Sequence, residues 1–163
     1  MEVLDRLHAP LTPDHLRLFA KLAVDEHEDF FHRNPAAALI YRSRFLAAAL
    51  CQGAALHYLG RGNGMKDVDI HLFYEQHPDR RQVARKVRSI VMEVPGFGER
   101  KVDFIKTVVP SAFVTHNRRD LVVLLRAFLT AQPTDNASHL AEKAVVGLVP
   151  ESILATVIWP ISR

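Results

Sequence analysis

With a single cysteine among its 163 residues, the chain cannot form an internal disulfide, which excludes the stapled scaffolds of small secreted domains. Cys51 lies in an apolar run with no cation beside it in sequence, so it reads as a small core residue rather than a nucleophile. No apolar stretch approaches the length of a membrane span. The first residues, MEVLDRLHAPLTPD, are too acidic and too broken by proline for a signal peptide. These absences point to a reducing compartment, the cytoplasm, and away from a membrane. Repeats and low-complexity tracts are missing as well. Gly60, Gly62 and Gly64 meet neither the dinucleotide fingerprint nor the phosphate-loop spacing, and no lysine-serine pair follows them. Nine histidines are present, yet no pair has a zinc-site spacing backed by cysteine.

What is present is an ordinary balance for a folded protein: 48% hydrophobic and 24% charged residues. That composition and length suit one domain spanning residues 1–163 and argue against disorder. Charge is unevenly placed. Asp25, Glu26, Glu28 and Asp29 cluster early, whereas Arg80, Arg81, Arg85, Lys86, Arg88, Arg100 and Lys101 crowd the segment before Asp103. A basic face beside carboxylates suits a polyanion such as a nucleotide or RNA, and a solvated helix face explains it equally well.

Apolar Leu16, Phe19, Leu22, Ala23 and Phe30 recur at helical spacing behind a Thr12 cap and Pro13, which predicts a helix over about 12–31. A short helical or irregular piece is expected over 36–41. The run FLAAALCQ, 45–52, is read as a strand because Gly53 follows it. A short helix over 54–59, a flexible glycine loop and a strand over 67–74 come next. Val83, Val87, Ile90 and Val91 line one stripe of an expected basic helix over 79–92. A strand over 100–109 follows, and helices are expected over 117–131, 136–146 and 151–158, with Trp159 packing the last. The fold class is therefore α+β. A small mixed sheet around Ala48, Ile70 and Phe104 makes a core over about 45–109, with an amino-terminal helix and a carboxy-terminal helical layer over about 111–163.

The informative residues are three aspartates at strand edges. Asp67 and Asp69 open KDVDIHLFY, and Asp103 opens KVDFIKTVV. Residues i and i+2 of a strand project from one face, so Asp67 and Asp69 point together while Val68, Ile70 and Leu72 point into a core. Same-face carboxylates supply the hard oxygen donors that Mg2+ or Mn2+ prefers. Two-metal phosphoryl and nucleotidyl transfer uses cations roughly 3.5–4 Å apart held by such donors. Asp103 is placed to ligate the second ion or to take the proton from an attacking hydroxyl. Upstream, QGAALHYLG sets a glycine at a strand-helix junction, where backbone N–H groups face a triphosphate.

The stretch GAALHYLGRGNGMKDVDIHLFY resembles the nucleotidyltransferase superfamily with the polymerase-beta-like fold, and especially its minor, toxin-type members. Their pattern is a glycine and small residue at a strand-helix junction, an Asp-x-Asp at the next strand, and an acidic residue on a later one. The resemblance covers about 45–109. It implies that Gly53 and Ala54 lie by the triphosphate, that Asp67 and Asp69 bind magnesium, and that Asp103 is the third carboxylate. Two positions depart from it. Ala54 stands where members usually carry a serine or threonine hydroxyl, and Lys66 stands where serine is common before the first aspartate.

Lys66 is placed either to contact a phosphate or to neutralise Asp67. Arg61 in the glycine loop, Lys106 beyond Asp103 and Lys143 on an expected helix are further basic candidates; solvated side chains are the plainer reading of Arg61 and Lys106. His71 shares the aspartate face and reads first as a partly buried neutral histidine. His27 and His32 read as surface residues. The expectation is a Mg2+- or Mn2+-dependent nucleotidyltransferase that moves a nucleoside monophosphate from ATP or another NTP to a hydroxyl of RNA, protein or a small molecule. The alternative is a catalytically degenerate nucleotide- or nucleic-acid-binding module on the same fold.

Overall fold

The computed structural model describes residues 7–60, 62–79, 87–117, 119–131 and 140–161. Its first helix, α1 (Pro13–Arg33), begins where Thr12 and Pro13 dictate. The Thr12 N–H donates to His15 Nδ1 at 3.0 Å, and the His15 N–H donates back to Thr12 Oγ1 at 3.4 Å, a reciprocal cap that satisfies the helix start. Because Nδ1 accepts, the ring proton sits on Nε2, which donates to the carbonyl of Pro95. Next come α2 (Pro35–Tyr41), a 3-10 turn (Arg42–Arg44), β1 (Phe45–Cys51), α3 (Gln52–Tyr58) and β2 (Val68–Glu75). They are followed by β3 (Arg88–Val94), β4 (Gly98–Val109), α4 (Ser111–Asn117), α5 (Leu121–Ala131), β5 (Val145–Val149), a second 3-10 turn (Glu151–Ile153) and β6 (Val157–Trp159).

Among the described residues the strands form one six-stranded mixed sheet in the order β3-β4-β2-β1-β5-β6. Only β2 and β4 run parallel; every other neighbouring pair is antiparallel. The α+β class and the strands around Ala48, Ile70 and Phe104 stand as the sequence implies. On one face, Leu16, Phe19, Ala23 and Phe31 of α1 join Leu50, Ile70, Leu72, Tyr74 and Phe104 in a buried core. On the other, Leu124, Leu125, Phe128 and Leu129 of α5 join Ala47, Ala49, Cys51, Phe73 and Val145. Among the described residues no helix is long and apolar enough to cross a membrane.

Three expected helices are corrected. The end of the 79–92 helix is strand β3, in which Ile90, Met92 and Val94 alternate with exposed Ser89, Val91 and Glu93. The period is two rather than 3.6, and the helical stripe was a coincidence of β-branched spacing; Val83 and residues 80–86 lie outside the described residues. Of the 136–146 helix, residues 140–142 are helical and 145–149 are β5; residues 136–139 lie outside the described residues. The 151–158 helix is a 3-10 turn followed by β6. The carboxy-terminal layer over 111–163 therefore adds two strands to the sheet as well as helices. Gly147 explains the tight return: a Cβ there would stand 2.2 Å from the Ile153 carbonyl oxygen, so only glycine lets the turn fold back on β5. Trp159 packs no last helix; it lies in β6 and donates its Nε1–H to the Ala141 carbonyl at 2.7 Å.

Candidate acidic site

A single rank of residues crosses the sheet on the face that α5 partly covers. Ser89 on β3 stands opposite Asp103 on β4, Asp103 opposite Asp69 on β2, and Asp69 opposite Cys51 on β1. Val145 and Trp159 continue the rank through β5 and β6. In a parallel pair, residues in register present their side chains to the same face. Asp69 and Asp103 are thus brought side by side, and Asp67, one residue ahead of β2, follows at the end of the same strand.

The electrostatics match that geometry. The Asp69 carboxyl is pushed up to about 6, first by burial, then by the negative charges of Asp103 and Asp67 and by a hydrogen bond with Asp103; Lys101 opposes the shift. Lys101 Nζ lies 3.7 Å from Asp103 Oδ1, and the Ser89 hydroxyl donates to that same oxygen. The result is a carboxyl pair short of positive charge. Its hard oxygens suit magnesium or manganese. Among the described residues, however, no three His, Cys, Asp or Glu side chains converge closely enough to enclose an ion as they stand. The two inner carboxylates meet, and Asp67 acts on them through its charge.

The strand-helix junction lies next to the pair, because Cys51 ends β1 opposite Asp69 and α3 begins at Gln52, whose φ is +60°. Gly53 and Ala54 form the first turn of α3. Ala54 is buried in the core on the α1 side of the sheet, at the position where the resembling family carries a hydroxyl. Asn63 ties the glycine loop to this junction: its Nδ2 donates to the Gly53 carbonyl at 3.0 Å and to the Gly64 carbonyl at 2.9 Å. Gly60, Gly62 and Gly64 all adopt positive φ, which glycine accepts without strain.

The remaining candidates divide. Arg61, Arg80, Arg81, Arg85 and Lys86 lie outside the described residues. The side chain of Lys66 makes no ion pair with Asp67 among the described residues, and its carbonyl accepts from Arg100 at 3.5 Å. Lys143 is exposed in the bend just before β5, at the end of the sheet that Gly53 and Asp67 share. Lys106 lies away from the acidic pair and is not solvated: it projects from the opposite face of β4 and is buried against Glu26, with Nζ to Oε2 at 2.8 Å. His71 is buried on the aspartate face, with Nδ1 3.1 Å from Thr107 Oγ1; burial pushes its imidazole down to about 4, so it is neutral near pH 7. His27 departs from the surface reading: it is half-buried, stacks on Tyr74 and meets the Tyr74 hydroxyl at 2.9 Å. Cys51 is buried, and burial, then the charge of Asp69, push its thiol up, which fits a core role.

Ser89 and Asn63 surround the site without having been named as candidates from sequence, and Lys101, named there only within the basic cluster before Asp103, joins them. For Asn63 the signal was legible, since asparagine in a glycine loop commonly bonds local backbone. For Lys101 the signal is the same i, i+2 alternation that pairs Asp67 with Asp69, since it lies two residues before Asp103 on β4; for Ser89 it is the register of β3 and β4, which the sequence does not show. Compared with known protein families, with curated proteins and with solved structures, the chain matches none of them.

Proposed function

We propose that the protein is a nucleotidyltransferase dependent on Mg2+ or Mn2+, which transfers a nucleoside monophosphate from an NTP to an acceptor hydroxyl. The observation that carries this reading is the register of Asp69 with Asp103, two partly buried carboxylates drawn together on neighbouring strands. Such a pair is costly to ionise without a counter-cation. A bound divalent ion supplies charge neutralisation at the phosphates. Asp67 and Asp69 would hold that ion, and Asp103 would complete the set or accept the acceptor hydroxyl's proton as its oxygen bonds to the α-phosphorus and pyrophosphate leaves. Gly53 and Ala54, with Lys66, border the place where the triphosphate would lie. The membrane is no partner in this reading, and the buried lone thiol fits a cytoplasmic setting.

A second reading, a binding module without turnover, draws on two observations: Asp67 does not close on the other two carboxylates, and Ala54 offers no hydroxyl. One experiment separates them. Labelled NTPs are incubated with the protein, Mg2+ or Mn2+, and mixed cellular RNA and protein, beside an Asp67→Asn, Asp69→Asn variant. Transfer of label that the double change abolishes supports the enzyme. Metal-dependent NTP binding without transfer supports the module, and transfer that survives the double change refutes the acidic site.

A further inference from the structure

Asp103 is held from the sheet's edge strand. Ser89 of β3 stands opposite it in register and donates its hydroxyl to Oδ1. Lys101 Nζ approaches that same oxygen at 3.7 Å. Oδ1 is therefore engaged twice, and Oδ2 is free of both contacts. The strand that carries Ser89 is itself fastened. Its neighbour Arg88 projects from the other face and donates through one guanidinium nitrogen to Oε1 of Glu26 at 2.9 Å. Glu26 is buried on α1, where Lys106 from β4 takes its second oxygen at 2.8 Å. Adjacent residues on β3 thus grip opposite faces, one locking the strand to α1 and β4, the other reaching the acidic pair.

A hydrogen bond to one carboxylate oxygen removes a rotational freedom that a cation ligand would otherwise lose on binding. Resting on the nucleotidyltransferase reading above, we propose that Ser89 is a positioning residue: its bond to Oδ1 fixes the Asp103 carboxylate so that Oδ2 is presented to Asp69 and to a divalent cation the two share. Ser89 touches neither substrate nor ion. Outer-shell partners of this kind typically change metal affinity by about 10- to 100-fold.

The test uses an isosteric pair on the full chain, Ser89→Thr and Ser89→Val. Both are β-branched and suit an exposed edge strand, and they differ by a hydroxyl against a methyl. Mn2+ binding is read from the loss of the free-ion electron paramagnetic resonance signal, and folding from the thermal midpoint. The expected result is equal midpoints with Mn2+ bound about 10-fold more weakly by Ser89→Val than by Ser89→Thr, which stays close to the parent. Equal Mn2+ affinity for the two variants overturns the positioning role while leaving the acidic site standing. A parent protein that binds Mn2+ no better than Asp67→Asn, Asp69→Asn overturns the metal reading and this inference with it.

Discussion

Lys106 and Glu26 form an ion pair 2.8 Å long in which both side chains are almost wholly withdrawn from water. The pair sits on the face of β4 opposite Asp103, with the ammonium also 4.1 Å from the centre of the Phe30 ring. Burial lowers the Lys106 pKa, and Glu26 raises it in return. Removing one partner strands the other.

Glu26→Gln should therefore destabilise the protein by about 3–5 kcal/mol, the usual cost of leaving a buried charge unmatched. Glu26→Leu combined with Lys106→Met should recover much of that loss, because Arg88 and Arg33 reach solvent and can hydrate. Urea unfolding of the single and double variants measures both. A double variant as unstable as Glu26→Gln alone would show that α1 packing rather than charge is at stake.

Asp69 should make stability depend on pH in an unusual direction. Its folded pKa, about 6, lies above the ordinary 3.8, so the ionised form is the one the fold disfavours. The penalty is absent below about pH 4, grows through the interval to 6 and is complete above it. Asp69→Asn should thus melt higher than the parent at pH 7.5 in chelator, and the gap should close as pH falls toward 4.

His71 acts in the opposite sense on the same strand face. Its pKa is lowered from 6.5 to about 4 by burial, so the neutral ring stabilises the fold above pH 6.5, and that contribution is lost as pH falls through the interval. The full shift corresponds to roughly 3 kcal/mol. His71→Gln should flatten the stability profile between pH 6.5 and 4, whatever it does to absolute stability. An unchanged acid slope in thermal melts would place the acid-sensitive group elsewhere.

Glycine positions should separate by cause. At Gly147 an added Cβ meets backbone at 2.2 Å, whereas at Gly62, with φ +72°, it meets nothing within 4 Å. Gly62→Ala carries only the left-handed backbone cost, about 1–2 kcal/mol. Gly147→Ala must also displace the Ile153 turn and should cost more than Gly62→Ala, about 3 kcal/mol or above, at or beyond the upper end of what overpacked cores usually cost. Paired denaturant titrations decide the ranking.

The parts of the fold legible in sequence were those whose pattern is local. β1, β2 and β4 announce themselves as apolar runs ended by Gly53, by the His77-Pro78 turn and by Pro110. β5 and β6 did not, because VVGLV and VIW are short, and what makes them strands is the pairing of β5 with β1 across a long sequence distance, onto which β6 then pairs. β3 was masked by the chance spacing of Val87, Ile90 and Val91. At the site, i, i+2 alternation put Asp67 and Asp69 on one side, and the strand placement of Asp103 suggested a third acid. Which residues face one another across strands, and so the role of Ser89, depended on register, whereas Lys101 joins Asp103 by the same i, i+2 alternation along β4. Lys106 misled because a lysine three residues past Asp103 must lie on the other face.

The place of β1 between β2 and β5 has a consequence for synthesis on the ribosome. β2 follows β1 closely, but β1's second neighbour, β5, leaves the exit tunnel only after β2, β3, β4, α4 and α5 have done so. Until then a wholly apolar strand, FLAAALC, carries an open edge. Nascent or truncated chains that stop before residue 149 are thereby exposed to strand-on-strand association, and a chaperone that shields this edge would act on the vulnerable moment of the protein's production.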